Sequence, residues 1–280
     1  MNLMNLQRSV LITGASTGIG RATAEYLAEK GYYVYAGARK QKDIESLDSF
    51  KNIHAVKLDV TIQSQVDEAI ETIKETTGSL FAIINNAGIA VAGPLMDIEV
   101  EEMRQQFEVN LYGVHRVTKA VFPLLLESKG RIVMMSSDSG FFATPFFGPY
   151  CSSKHALEGY SDSLRRELAL YNIDVVKIQP GRITTEIWDK GEDLLNDFDK
   201  DSLFKKEALG IGEYAVRKGK NAGLKPVEVG KLVYEILTEE NPKLSYLIAP
   251  STFKYKMIKL FPEKWVDRMV VKELREYKEE

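Results

Sequence analysis

Ser9-Val10-Leu11-Ile12-Thr13-Gly14-Ala15-Ser16-Thr17-Gly18-Ile19-Gly20 joins an apolar run to an amphipathic segment through a turn carrying three glycines. Ser9 to Thr13 reads as a strand and Ile19 to Lys30 as a helix, with Gly31 following where a positive φ is needed. A doubly wound parallel sheet binds dinucleotides at such a strand–turn–helix. The turn is tight, the backbone comes close to the ligand, and the free N–H groups and dipole of the helix start favour a pyrophosphate. The glycines are spaced G-x-x-x-G-x-G rather than G-x-G-x-x-G. Taken alone, the pattern also fits a turn that merely happens to be rich in glycine.

Outward from this stretch the chain keeps alternating strands and helices. Further strands are expected at Tyr32 to Ala38, His54 to Val60, Phe81 to Asn85, Gly130 to Ser136, Val175 to Gln179 and Leu244 to Ile248. Between them, Ile62, Val66, Ala69, Ile70 and Ile73 form one helical stripe. Helices are expected at Val100 to Glu127, where Pro123 can introduce a bend, at Tyr150 to Tyr171, and at Pro226 to Glu239. Thr184 to Gly223 is charged and weakly periodic and reads as a mobile insertion. Repeated β–helix–β units imply an α/β fold: one doubly wound domain with a seven-stranded parallel sheet and helices on both faces. Residues 1–250 form that domain, 187–223 an insertion within it, and 251–280 a C-terminal helical extension.

Composition narrows the function classes. With 37 basic and 40 acidic residues among 280, the net charge of −3 argues against a nucleic-acid binder that works by bulk basicity. One cysteine, Cys151, excludes an internal disulfide, and the three scattered histidines do not read as a metal site. No stretch is apolar for long enough to span a membrane, and the N-terminus lacks the apolar region of a secretory leader, so a cytoplasmic location is expected.

The glycine turn and six further motifs, in the same order along the chain, resemble the short-chain dehydrogenase/reductase family. They are Leu58-Asp59-Val60, Asn85-Asn86-Ala87-Gly88, Asn110, Ser136-Ser137, Tyr150-Cys151-Ser152-Ser153-Lys154 and Pro180-Gly181, and the match covers roughly residues 8 to 185. The resemblance implies a Rossmann domain that binds a nicotinamide dinucleotide. It places Gly14, Ser16, Thr17, Gly18, Ile19 and Gly20 against the pyrophosphate and Asp59 at the adenine. Asn86 and Gly88 line the adenosine side, and Pro180, Gly181 and Thr185 meet the nicotinamide amide. Without the family, Asp59 reads equally as a strand end or a helix cap.

Cofactor choice is read at Ala36-Gly37-Ala38-Arg39-Lys40. A carboxylate at the end of the second strand would accept from the ribose 2′-hydroxyl of NAD and repel a 2′-phosphate. Here Ala38 takes that place and Arg39 follows, whose guanidinium suits a phosphate by bidentate geometry. NADP(H) is therefore expected over NAD(H). The competing reading stacks Arg39 on adenine or leaves it in solvent, and Thr17 stands where many NADP-dependent relatives carry a second basic residue.

Four Tyr-x-x-x-Lys pairs occur, at Tyr26/Lys30, Tyr150/Lys154, Tyr214/Lys218 and Tyr255/Lys259, but just one opens a helix after an apolar strand ending in serines. At i, i+4 spacing Tyr150 and Lys154 share a helix face, where an ammonium would pull the phenol down toward the working pH. The phenol then donates a proton to a carbonyl oxygen, or accepts one in reverse. By family resemblance Ser137 hydrogen-bonds the substrate oxygen, with Ser136 and Ser139 as competing candidates. Lys154 binds the nicotinamide ribose, and Asn110 holds a water that links Lys154 to solvent. Catalytic Asn110, Ser137, Tyr150 and Lys154 thus imply hydride transfer between NADP(H) and a ketone, aldehyde or secondary alcohol, with no metal.

Phe141, Phe142, Phe146 and Phe147 lie beside this centre as an apolar substrate wall or as loop packing. Residues 187 to 223 fall where relatives carry a substrate lid. The tail Leu260-Phe261-Pro262…Asp267-Arg268 is similar to the hydroxysteroid-dehydrogenase-like branch, which implies a steroid-, retinoid- or lipid-like substrate. Its mixture of lysines and aromatics admits an interfacial helix, though Glu263 and Asp267 favour a folded cap or a subunit contact. The family suggests a homodimer or homotetramer through the two long helices. The contrasting functional class is a non-catalytic NADP-binding sensor or scaffold on the same fold.

Overall fold

A computed structural model describes residues 8–196, 201–258 and 261–279. The N-terminal stretch read for a leader, and Lys259 and Leu260 of the tail pattern, lie outside the described residues. Seven parallel strands form one sheet: β1 Ser9–Ile12, β2 Tyr33–Ala38, β3 Ile53–Lys57, β4 Ala82–Asn85, β5 Arg131–Met135, β6 Asp174–Pro180 and β7 Ser245–Ile248. Their order is β3-β2-β1-β4-β5-β6-β7, with Val10 in register with both Val34 and Ala82. The order reverses between β1 and β4, which opens a crevice beyond their carboxyl ends, the place where open α/β sheets bind ligands.

Eleven α-helices occur among the described residues. They are α1 Gly18–Glu29, α2 Gln41–Asp48, α3 Gln63–Thr76, α4 Val100–Phe107, α5 Val114–Ser128, α6 Gly148–Leu168, α7 Ile187–Asn196, α8 Lys205–Ala222, α9 Pro226–Thr238, α10 Thr252–Ile258 and α11 Glu263–Glu279. Alternate strand residues point to opposite faces, so the sheet feeds two apolar layers. Val10, Ile12, Ala36, Ile84 and Val133 join Leu27 of α1 and Val233 of α9 in one layer. Leu11, Tyr35, Ile83, Ile132 and Met134 join Ile73 of α3 and Val121 of α5 in the other. Burial on both faces is why the central strands read as continuous apolar runs.

Several boundaries differ from the sequence reading. β3 stops at Lys57, which leaves Leu58-Asp59-Val60 in the turn that follows. Ile62 precedes α3 in extended backbone and is 42% exposed, so it is outside the helical stripe. The helix expected over 100–127 is interrupted by a wide π segment, Glu108–Gly113. The 184–223 stretch holds two helices, α7 and α8. Its periodicity is muted because Ala208, Ile211, Ala215 and Val216 give α8 a stripe of mostly small side chains. Lys220 ties the two helices together, 2.7 Å from both Asp189 and Glu192. In the C-terminal extension Tyr277 of α11 packs on Gly210 of α8. Among the described residues, no helix is long and apolar enough to cross a membrane.

Candidate active site

The glycine turn is built against the exit of β4. Gly14 and Gly18 have φ of +66° and +57°, the left-handed region that side chains disfavour, and a Cβ on Gly14 would stand 2.8 Å from the Ala87 Cα. Thr13 Oγ1 accepts the N–H groups of Asn86 and Ala87, and Asn86 Nδ2 donates back to the carbonyls of Thr13 and Gly14 at 2.9 and 3.0 Å. Asn86 thus locks the turn itself. No side chain caps the start of α1 and no acidic residue lies in its first turn, so its end N–H groups and dipole face the crevice uncompensated. That cradle fits a pyrophosphate.

At the rim of the cradle Arg39 Nη1 lies 3.7 Å from Asp59 Oδ2, and the Arg39 side chain is 63% exposed. Burial pushes the Asp59 carboxyl up, but the Thr61 N–H and hydroxyl bound to Oδ1, together with Arg39, hold it below the usual carboxylate range. Asp59 therefore closes a local turn and also orients Arg39. On the far wall Thr185 packs over Gly18, while Pro180 ends β6 and the Gly181 N–H donates to Ile248.

The reactive end lies where β5 meets α6. Ser137 is buried, and its Oγ donates toward Asp138 Oδ1 at 2.9 Å and accepts from the Ser139 N–H at 3.1 Å. The Ser137 hydroxyl is near enough to the Tyr150 phenol to pull it downward. Burial nevertheless drives the Tyr150 phenol above its ordinary range, with Asp138 adding to the rise, against the downward pull of Ser137. The expected lowering by Lys154 is not met because that amine turns elsewhere. Lys154 Nζ donates to the Met135 carbonyl at 2.8 Å and lies 5.6 Å from the Tyr150 ring centre. Burial brings the Lys154 amine down to about 8, opposed by the Glu158 carboxylate.

Asn110 reaches this cluster through Ser153, which lies between Tyr150 and Lys154 on α6. Its side chain accepts from the Ile89 N–H and donates to the Ile89 carbonyl and to Ser153 Oγ, and among the described residues no hydrogen bond joins it to Lys154. Gln106, one turn earlier, does the same work on Val91, Ile89 and Ser153. Its i, i+4 spacing from Asn110 was the available signal. Gly14, Ser16, Thr17, Gly18, Ile19, Gly20, Arg39, Asp59, Asn86, Gly88, Ser137, Tyr150, Lys154, Pro180, Gly181 and Thr185 all border one cleft of about 780 Å³.

Beyond Tyr150 the cleft continues between apolar walls that the sequence reading did not resolve. Ile187, Trp188 and Leu195 of α7 and Ile211 and Val216 of α8 line it together, with Trp188 packed on Gly219 and Leu195 on Gly212 of α8. The four phenylalanines divide. Phe146 and Phe147 line the cleft, the latter with its ring 4.7 Å from that of Tyr150, while Phe141 packs edge-on against Tyr255 of α10. Burial, and next the Asp138 carboxylate, raise the Tyr255 phenol above its ordinary range, a pairing across more than a hundred residues that no local pattern announces.

Residues 8–194 match the short chain dehydrogenase family. The chain is 36% identical over 283 aligned positions to an NADPH-dependent 3-dehydrocapnine reductase of Ornithobacterium rhinotracheale, covering 98% of this chain and 99% of that one. It is 32% identical to a 3-ketodihydrosphingosine reductase of Bacteroides thetaiotaomicron, covering 86% and 87%. Its fold superposes on a short-chain dehydrogenase from Streptomyces avermitilis with a TM-score of 0.78, at 26% identity and 97% coverage of each chain.

Proposed function

Since the chain belongs to the short-chain dehydrogenase family, we propose that it is an oxidoreductase that reduces the ketone of an apolar, lipid-like substrate with NADPH. The observation that carries this reading is one cleft holding both the uncapped glycine turn and the Ser137–Tyr150–Lys154 cluster, with an apolar extension beyond. When bound, the nicotinamide supplies the hydride. In this reading Ser137 holds the substrate oxygen and Tyr150 gives it a proton. Lys154 binds the ribose and, as a cation, stabilises the phenolate left behind. Asn110 and Gln106 act as positioning residues that fix the turn at Ile89 beside the cofactor cleft. The intact Ser, Tyr and Lys favour turnover over a sensor or scaffold role.

The apolar walls of α7 and α8 suit a lipid-like chain, in keeping with the names of the two reductases above and with the hydroxysteroid-dehydrogenase-like branch. A homodimer or homotetramer in the cytoplasm goes with this reading, packed through the two long helical stretches, whose Val100 and Tyr112 are largely exposed. An NADPH-oxidation screen over long-chain ketones, steroids and retinoids tests the activity; no turnover on any of them rejects it.

NADPH preference rests on Arg39. Arg39→Asp exchanges a phosphate partner for a repelling carboxylate, and kcat/KM with NADPH should fall about 100-fold relative to NADH. Steady-state rates with both cofactors measure the ratio; an unchanged ratio would remove Arg39 from the 2′-phosphate.

A further inference from the structure

Asp138 is a carboxylate in the wall of the cleft, directly after the serine assigned to the substrate oxygen, in a lining that also holds Arg182, Glu186 and Asp193. Its Oδ1 accepts from two neutral donors, Ser137 Oγ at 2.9 Å and the Ser139 N–H at 2.8 Å, and the Tyr255 phenol stands beside the carboxylate. None of the ion pairs among the described residues includes Asp138. Glu158 and Asp162, by contrast, share Lys177, and Asp59 has Arg39. For a purely hydrocarbon ketone this arrangement is a handicap, because Asp138 draws off the Ser137 proton that the substrate oxygen needs.

We propose that Asp138 is a specificity-determining residue that binds a protonated amine on the carbon next to the reducible carbonyl, so that the substrate is a long-chain 2-amino ketone. This deepens the reductase reading above and rests on it. A donor on that carbon lies about 3 Å from the carbonyl oxygen of its own molecule, which matches the spacing of Ser137 Oγ and Asp138 Oδ1. The ammonium takes up the carboxylate, and the Ser137 hydroxyl is released to turn its proton to the substrate oxygen. The carbonyl carbon then accepts the hydride of bound NADPH, its oxygen takes the Tyr150 proton, and the amine keeps its charge throughout. The apolar tail runs out along the wall that α7 and α8 form.

The test compares kcat/KM of wild type and Asp138→Asn on a long-chain 2-amino-3-ketone, its des-amino ketone and its 2-hydroxy analogue. Wild type should favour the amino ketone by about 10- to 100-fold, and D138N should erase that preference, slowing the amino ketone and leaving the des-amino ketone as fast or faster. Equal losses on all three substrates, no preference in wild type, or a preference that survives in D138N overturns the proposal. An equal preference for the 2-hydroxy analogue also overturns it, in favour of a neutral donor site. Calorimetric binding of the long-chain 2-amino alcohol, the product, separates the two readings. Asp138-dependent binding without reduction of any ketone would keep the subsite and reject the reductase, while reduction without Asp138 dependence does the reverse. If circular dichroism shows D138N unfolded, Asp138→Ser serves the same comparisons.

Discussion

Tyr150→Phe lowers the rate of ketone reduction by about three to four orders of magnitude and leaves NADPH binding intact. The size follows from the loss of the one positioned proton donor, since general acid catalysis contributes up to roughly 10⁴-fold. The fold should tolerate the change, because the ring keeps its packing on Phe147, 4.7 Å away, and just the hydroxyl disappears. Burial holds the phenol above its ordinary range in the cofactor-free enzyme, so the proton to be donated is in place at any neutral pH. Single-turnover NADPH oxidation together with a fluorescence titration of cofactor checks both halves. Residual turnover within tenfold of wild type would reject Tyr150 as the acid.

Lys154→Met should abolish turnover to a similar degree while making the protein more resistant to heat at pH 7. The unfolded chain holds this proton with the ordinary pKa of 10.5, whereas burial brings the folded value to about 8. Folding therefore works against the charge. The handicap is complete below pH 8, shrinks as pH rises from 8 toward 10.5, and vanishes above. Removing it is worth about 3 kcal/mol, from which about 1 kcal/mol is subtracted for the lost bond to the Met135 carbonyl. Against a scale of about 2–4 °C per kcal/mol for a chain of this size, Tm at pH 7 rises by roughly 4–8 °C. The gain fades toward pH 10, and calorimetric scans at the two pH values measure it. A Tm that falls at pH 7 would mean that the buried ammonium stabilises the fold.

The parts of this molecule that could be read from sequence are those set by local chemistry. β1 and the glycine turn are legible because one strand, one turn and one helix start carry all of the information. The seven strands follow from apolar runs, and Tyr150 and Lys154 from a single helical turn. Arg39 and Asp59 could each be named, but their contact joins the ends of two strands and needed the sheet. Asp138 was passed over because its neighbour Ser137 already had a family role, and because its partner Tyr255 lies in the C-terminal extension. The apolar walls of α7 and α8 were hidden by composition: short, mostly small residues separated by charges give a faint stripe that tertiary packing completes. The same packing turned Lys154 toward Met135, which a helical-wheel argument cannot foresee.

The π segment at Glu108–Gly113 sets a rule about chain length rather than residue identity. A π turn holds one residue more than the α-helix on either side of it needs, so a one-residue deletion there closes the segment to regular α-helix and leaves the flanking faces in place. The same deletion further on, within α5, swings everything beyond it by about 100°. Val121, Leu124 and Leu125, all buried against the sheet, would be carried off it together. Deletion of Tyr112, itself half-exposed, should therefore still give soluble protein, whereas deletion of the exposed Lys119 should not. Soluble expression of the two deletions makes the comparison. Divergence through this helix is thereby free to lose a residue at the π segment and nowhere beyond it, a tolerance in which no single side chain need be fixed.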